Sequence, residues 1–303
     1  MGTTTTGTAS TIVRTKYTYQ KPLNTRLKRA GMKAAAYIAV IAVGLFFLFP
    51  WIWLLSTSLK PPEQIVQIPP RLIPNPFMWV NYYYGVTYIN FPRYLLNTMI
   101  LCVLTIIGRL FSCTLVGYSL ANIKWAGRGV LFAIVLATMM LPSQVTLIPI
   151  FIMFSKMGWV NSFLPLVVPA FFGDAFFIFM FRQFFLGIPT ELTDAARLDG
   201  ANHLGIFLRI VLPLSRPVMA TMLAFTFINT FNNFQGPLIY LKDRSLWTLS
   251  LGMQGYLLRY GGGSGTALGA MMAGAALYTL PMVVVFFLAQ KWFIQGIVTT
   301  GFK

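Results

Sequence analysis

Uncharged apolar stretches longer than a bilayer is thick recur along this 303-residue chain. A helix crosses the hydrocarbon core with roughly 20 apolar residues. Ala34–Leu59, Gly129–Ser155, Pro217–Leu241 and Tyr260–Gln290 all reach that length without a single Asp, Glu, Lys or Arg. Two further runs carry one charge each, Arg109 in Tyr94–Ile123 and Asp174 in Met157–Phe181. Because the runs are continuously apolar, without the two-residue alternation of a barrel strand, they predict helices. The expected fold is an all-α integral membrane protein with six transmembrane helices. Charged residues make up only 10% of the chain, against about 25% in soluble domains.

The runs and the charges between them give a map. A basic tail, 1–33, precedes a first span at 34–57 and a Pro- and aromatic-rich outer loop at 58–93. A core at 94–290 then holds helices at about 94–121, 129–153, 163–186, 216–240 and 266–289, and a tail at 291–303 follows. Pro142, Pro149, Pro165, Pro169 and Pro281 fall in or beside these spans and should kink them. With the N-terminus inside, fifteen of the 23 Lys and Arg face one side. Seven face the other: Lys60, Arg71, Arg93, Lys156, Lys242, Arg244 and Arg259. This asymmetry orients a multi-pass cell-membrane protein with both termini cytoplasmic. It also accounts for the +17 net charge without nucleic acid, as a topology anchor that favours anionic membrane lipid. The Thr-rich first dozen residues should be disordered. The first span has the length of a retained helix and shows no cleavage pattern. Cys102 and Cys113 lie on one predicted helix about 16 Å apart, too far to bridge.

A polar island, 187–214, separates the fourth and fifth runs. Thr190 is placed to cap a short helix, with Glu191 and Asp194 in its first turn, where the dipole favours negative charge. Gly200 permits the left-handed ending, and a second short helix, about 202–211, should close at Pro213. The product is a helix–Gly–helix elbow whose Ala195 and Ala196 make one part small and smooth. It could insert into a partner's cleft or lie on lipid headgroups, and the residues alone leave both open.

Asp194-Ala195-Ala196, Gly200, Ile210 and Leu212-Pro213 resemble the EAA loop of ABC-importer permeases, Glu-Ala-Ala-x3-Gly-x9-Ile-x-Leu-Pro. The spacing agrees at every step, and Asp194 stands for the usual Glu. Pro189-Thr190-Glu191-Leu192 with Asp199-Gly200-Ala201, Ser58-Leu59-Lys60, Asn97-Thr98, and Phe231-Asn232-Asn233-Phe234 with Pro237-Leu238 are similar to signatures of the maltose-type carbohydrate permeases. Gln295-Gly296 to Gly301-Phe302-Lys303 looks like the tail of the shorter permease subunit. The resemblance runs from about Phe49 to the C-terminus. It implies the ABC transmembrane type-1 fold and a cytoplasmic coupling elbow at 190–213 that docks on an ATPase. Glu191, Asp194, Ala195, Ala196, Gly200, Ile210 and Pro213 are then its ATPase-coupling residues. The implied partners are a second permease subunit, an ABC ATPase dimer and an extracytoplasmic sugar-binding protein. The chain has no G-x-x-x-x-G-K-[ST] phosphate loop, so ATP hydrolysis is expected on another chain.

Polar groups inside spans are costly and point to function. Asn229, Asn232, Asn233 and Gln235, interleaved with Phe231, could offer amides and an aromatic face to an uncharged polyol, or bond to neighbouring helices. Asp174 could line the same path or pair with Arg109, the one cation within a predicted span. His203 stands alone, and nothing in the sequence has the spacing of a metal site, a cofactor or a catalytic group. Gly265, Gly269 and Ala273, with Ala270 and Gly274 on the adjacent stripe, form small faces for close helix packing, most simply within the chain. The function expected is the permease subunit of an ATP-driven, binding-protein-dependent carbohydrate importer. The nearest alternative changes the solute, to glycerol phosphate, polyamine or peptide. A stand-alone secondary transporter would need an internal coupling-ion site and a detectable repeat.

Overall fold

The computed structural model describes residues 23–260 and 265–300, and no strand occurs among them. The Thr-rich first dozen residues expected to be disordered, the rest of the head to residue 22, residues 261–264 and residues 301–303 lie outside the described residues. The chain divides into two units, residues 1–52 and 53–303. Helix α1, Leu23–Ser58, starts ahead of the expected first span and runs through Pro50 without ending. The second unit holds α2 (Val80–Thr87), α3 (Phe91–Asn122), α4 (Arg128–Thr138), α5 (Ser143–Lys156) and α6 (Ala175–Leu186). It continues with α7 (Thr190–Leu198), α8 (Arg216–Phe231), α9 (Leu249–Tyr260) and α10 (Gly265–Thr300).

Four segments are long and apolar enough to span a membrane: Gly31–Ser58, Phe91–Asn122, Leu164–Leu186 and Ala267–Lys291. Two bent pairs raise the number to six, α4 with α5 at 99° and His203–Leu214 with α8 at 75°. The third, fourth and fifth spans are therefore not the single helices expected at 129–153, 163–186 and 216–240. In the third, the amides of Met139, Met140 and Leu141 turn to carbonyls three residues back. Pro142, which disfavours helix at the residue before it, then closes the segment. The fourth is a helical turn, Leu164–Val167, a 3-10 turn, Val168–Phe172, and then α6. Its break is Gly173 at φ +100°, a backbone conformation that favours glycine. The fifth stops at Phe231 and resumes at Gln235–Tyr240. Asn233 there accepts the Gly236 amide on its own side chain, 3.0 Å, which competes with helix. The sixth is longer than 266–289, because α10 runs unbroken past Pro281 to Thr300. Two of the three outer connections, expected as loops, carry helices: α2 between α1 and α3, and α9 between α8 and α10.

Helix α3 organises the second unit, with α6, α8 and α9 packed along it. Two apolar clusters form on it. One gathers Cys113, Tyr118, Phe181, Phe185, Phe207 and Met222; the other gathers Tyr94, Cys102, Phe227, Phe231, Leu249 and Ala270. The two cysteines are free, buried, and belong to different clusters. The small stripes of α10 are used within the chain. A side chain at Gly85 of α2 would sit 2.7 Å from the Ala270 carbonyl oxygen and 2.9 Å from the Gly274 nitrogen. Gly269 likewise meets Asn81, and Gly265 meets Pro62.

Candidate functional site

The elbow is built onto the α3–α6 core. Thr190 is the first helical residue of α7 and not its cap; that position falls to Pro189, which makes no side-chain capping bond. The proline's fixed φ starts the helix without one. At the other end Gly200 adopts φ +82°. The Ala201 amide donates to Ala196 at 2.9 Å and the Gly200 amide to Arg197 at 3.0 Å. This is the paired-bond Schellman ending that glycine allows. Asn202 then caps the next turn through the Gly205 amide, 2.7 Å.

Pro213 does not close that second helix, as the sequence led us to expect. His203–Ile206 passes through a π turn, Phe207–Val211, into Leu212–Leu214. A π turn loosens the bonding ladder just where the proline lacks its N–H. The bend follows at Ser215, whose Oγ donates to the Val211 carbonyl, 2.5 Å.

Burial divides the elbow into an anchor and a face. Ile206, Phe207 and Val211 are buried in the cluster with Tyr118, Phe181 and Phe185, and the Tyr118 hydroxyl donates to the His203 carbonyl, 3.3 Å. Ala196 is half-buried against this cluster, and Ile210 in the π turn is half-buried. Glu191, Asp194, Ala195, Gly200 and Pro213 are exposed. Asp194 pairs with Arg197 across one turn at 3.0 Å, a solvated contact of little stabilising value. Leu198, 90% exposed at the tip of α7, was missed, because it occupies a variable position of the motif. An unburied leucine beside the Gly200 turn was its one available signal.

The predicted polar residues separate into different environments. Asp174 is not mid-helix; it is the N-cap of α6, accepting from the amides of Phe176 and Phe177 at 3.1 and 3.4 Å. Of the two roles left open for it, the ion pair with Arg109 is present, Nη2 to Oδ2 at 3.1 Å. Arg109 also lies over the Phe177 ring and donates to Thr226 Oγ1 at 3.4 Å. Asn229 and Asn233 join Thr105 and Arg109 around a cavity of about 150 Å³. Thr105 Oγ1 and Arg109 Nε are buried without a hydrogen-bond partner among the described residues. Asn232 faces elsewhere, accepting from the Tyr278 hydroxyl at 2.9 Å. Gln235 is exposed at the start of the resumed helix. Phe231, expected along a solute path, is instead fully buried between the rings of Phe227 and Tyr278. Its spacing from Phe227 puts it on the packed face of α8, so it is a core residue. A second cavity, about 400 Å³, is lined by Phe234, Ser250, Gln254, Met271 and Tyr278 among others. Ser250 and Gln254 come from α9, which the sequence did not reveal. Among the described residues no group of His, Cys, Asp and Glu is placed to hold a metal ion.

Four apolar helical spans, or six when each bent pair is one span, together with a core-anchored elbow, define a multi-pass membrane permease. The chain belongs to the family of binding-protein-dependent transport system inner membrane components, whose profile matches residues 113–299. It is 31% identical over 277 residues to the arabinooligosaccharides transport system permease protein AraQ of Bacillus subtilis (strain 168), covering 89% of this chain and 96% of that protein. The sn-glycerol-3-phosphate transport system permease protein UgpE of Yersinia pestis is also 31% identical over 277 residues, with 89% and 97% covered. Among solved structures, a chain of a bacterial ABC transporter involved in the import of the acidic polysaccharide alginate superposes with a TM-score of 0.76. That match is at 22% identity and covers 91% of this chain and all of that one.

Proposed function

We propose that this chain is the shorter permease subunit of an ATP-driven importer for a carbohydrate. A binding protein delivers the sugar, and a separate ATPase dimer drives alternating access through this chain and a second permease. The observation that carries the proposal is the elbow. Its buried side is fixed to α3 and α6, while its exposed side offers a leucine and a small smooth helix to a partner. A part tied so firmly to the core can pass displacement inward, which is the requirement for one partner to bias a two-state membrane core. The charge asymmetry supports a cytoplasmic elbow and cytoplasmic termini. The relative named for arabinooligosaccharides supports a sugar as cargo.

A second reading, a phosphorylated polyol as cargo, draws on the equally similar sn-glycerol-3-phosphate relative. It would leave the coupling arrangement unchanged. The test is co-purification with the candidate ATPase, followed by ATP hydrolysis measured with and without loaded binding protein. Gly200→Pro should abolish the stimulation while the spans still insert. A chain that binds no ATPase, or a Gly200→Pro variant that transports normally, refutes the coupling role.

A further inference from the structure

At the end of α3 opposite the elbow lies a cleft of about 470 Å³, a size usual for small-molecule sites. Its walls include Tyr88, Tyr94, Arg244, Trp247, Gly252 and Gly255. The aromatic rings are held flat. Tyr84, Tyr88 and Tyr256 stack in series at centroid spacings of 5.1 and 6.2 Å. A side chain at Gly252 would collide with the Tyr94 ring, and one at Gly255 would sit 2.8 Å from the Trp247 ring. The rings therefore lie against bare backbone of α9. Asn97 Nδ2 fixes the segment before α9 by donating to the carbonyls of Ser245 and Trp247, both at 2.9 Å.

Arg244 supplies the charge, its guanidinium 5.5 Å from the Trp247 ring centroid. Among the described residues no carboxylate lines the cleft, and the adjacent Asp243 is engaged by Asn161 at 2.7 Å. Flat aromatic walls suit the C–H face of a sugar ring. A guanidinium fork suits a carboxylate, which it can bind through two parallel bonds.

We propose that this cleft binds one acidic sugar unit, its ring against the aromatic wall and its carboxylate at Arg244. The inference rests on the carbohydrate reading of the cargo and narrows it. Binding can be measured without transport. The full-length chain in lipid nanodiscs is titrated calorimetrically with trigalacturonate and with its fully methyl-esterified form, which differs in charge. The acid should bind at least tenfold more tightly than the ester, and added salt should weaken only the acid. Arg244→Gln, a surface change, should bring the acid close to the ester, whereas Tyr88→Ala should weaken both. Equal binding of the two probes, no binding of either, or an unaltered Arg244→Gln variant overturns the assignment. ATPase stimulation tests the permease role separately, so either claim can fail while the other stands.

Discussion

At Asp174 one carboxylate serves two neighbours, capping α6 and neutralising Arg109. The two services separate by substitution. Asp174→Asn keeps the cap and loses the charge, and Asp174→Ala loses both, so the alanine variant should be less stable by about a further 1 kcal/mol. Arg109→Ala should cost about 1–3 kcal/mol, between the values for exposed and buried pairs. Denaturant unfolding in detergent reads both. Exchanging the two residues should not restore stability, because arginine at 174 cannot accept from the Phe176 amide. Lys60 gives a pH signature. It is 1% exposed, with its ammonium over the Trp53 ring and 3.5 Å from Thr57 Oγ1. Burial lowers its pKa, so between the folded and unfolded values the unfolded chain binds more protons. Stability from this residue is thus reduced at neutral pH and rises as pH climbs toward the ordinary lysine value of about 10.4. Lys60→Met should flatten that rise in thermal unfolding between pH 8 and 10.5. The Arg109–Asp174 pair was legible because opposite charges in apolar runs have few places to go. The cap was not, since it depends on the chain breaking at Gly173.

Elements differ in how openly they announce themselves. The elbow was legible because its glycine, proline and acidic residues stand at fixed offsets within a polar island. Its π turn was not, since no composition distinguishes five residues of π from five of α. Helix α9 was hidden for another reason: it is only 12 residues long, and its Gly252 and Gly255 read as breakers. Those glycines are there to receive rings. The same logic of close approach predicts a contrast between two alanine substitutions. Gly85→Ala would force the α2 and α10 backbones apart and should cost about 1–3 kcal/mol or more. Gly129, at the exposed start of α4, has nothing within 4 Å of an added methyl. Gly129→Ala should therefore stabilise by about 0.5–1 kcal/mol through helix propensity. Thermal unfolding of the two variants side by side checks the pair. Leu198→Asp belongs with them as a surface change. It should leave unfolding within about 0.5 kcal/mol yet lower ATPase co-purification several-fold.

Across the whole second unit, α3 links the aromatic cleft, the Arg109–Asp174 pair and the elbow. Its first turns hold the Ser245 and Trp247 carbonyls through Asn97, and Thr98 accepts the Leu249 amide at 2.9 Å. Its middle carries Arg109, and Ser112 donates to the Ala170 carbonyl at 2.9 Å beside the break in the fourth span. Its last turns reach the elbow through Tyr118. At 1.5 Å per residue its 32 residues extend about 48 Å. Asn97→Ala would remove the side-chain donor to the Trp247 carbonyl and leave the Ser245 carbonyl to Arg93 alone. It should cost about 1–3 kcal/mol and speed proteolysis at residues 241–248, with cleavage mapped by mass spectrometry. Bilayer thickness made a count of up to six spans legible at this scale, and Pro142 made the bend of the third legible; the breaks at Gly173 and Ser215 were not, because tertiary packing sets them. One of those bends has a mechanical consequence. The elbow segment meets α8 at 75°, so a push along the elbow's axis has only about a quarter of its travel directed down α8. Nearly all of it acts crosswise, as torque on a lever. A drive of the kind proposed would thus swing α8 sideways and hardly slide it.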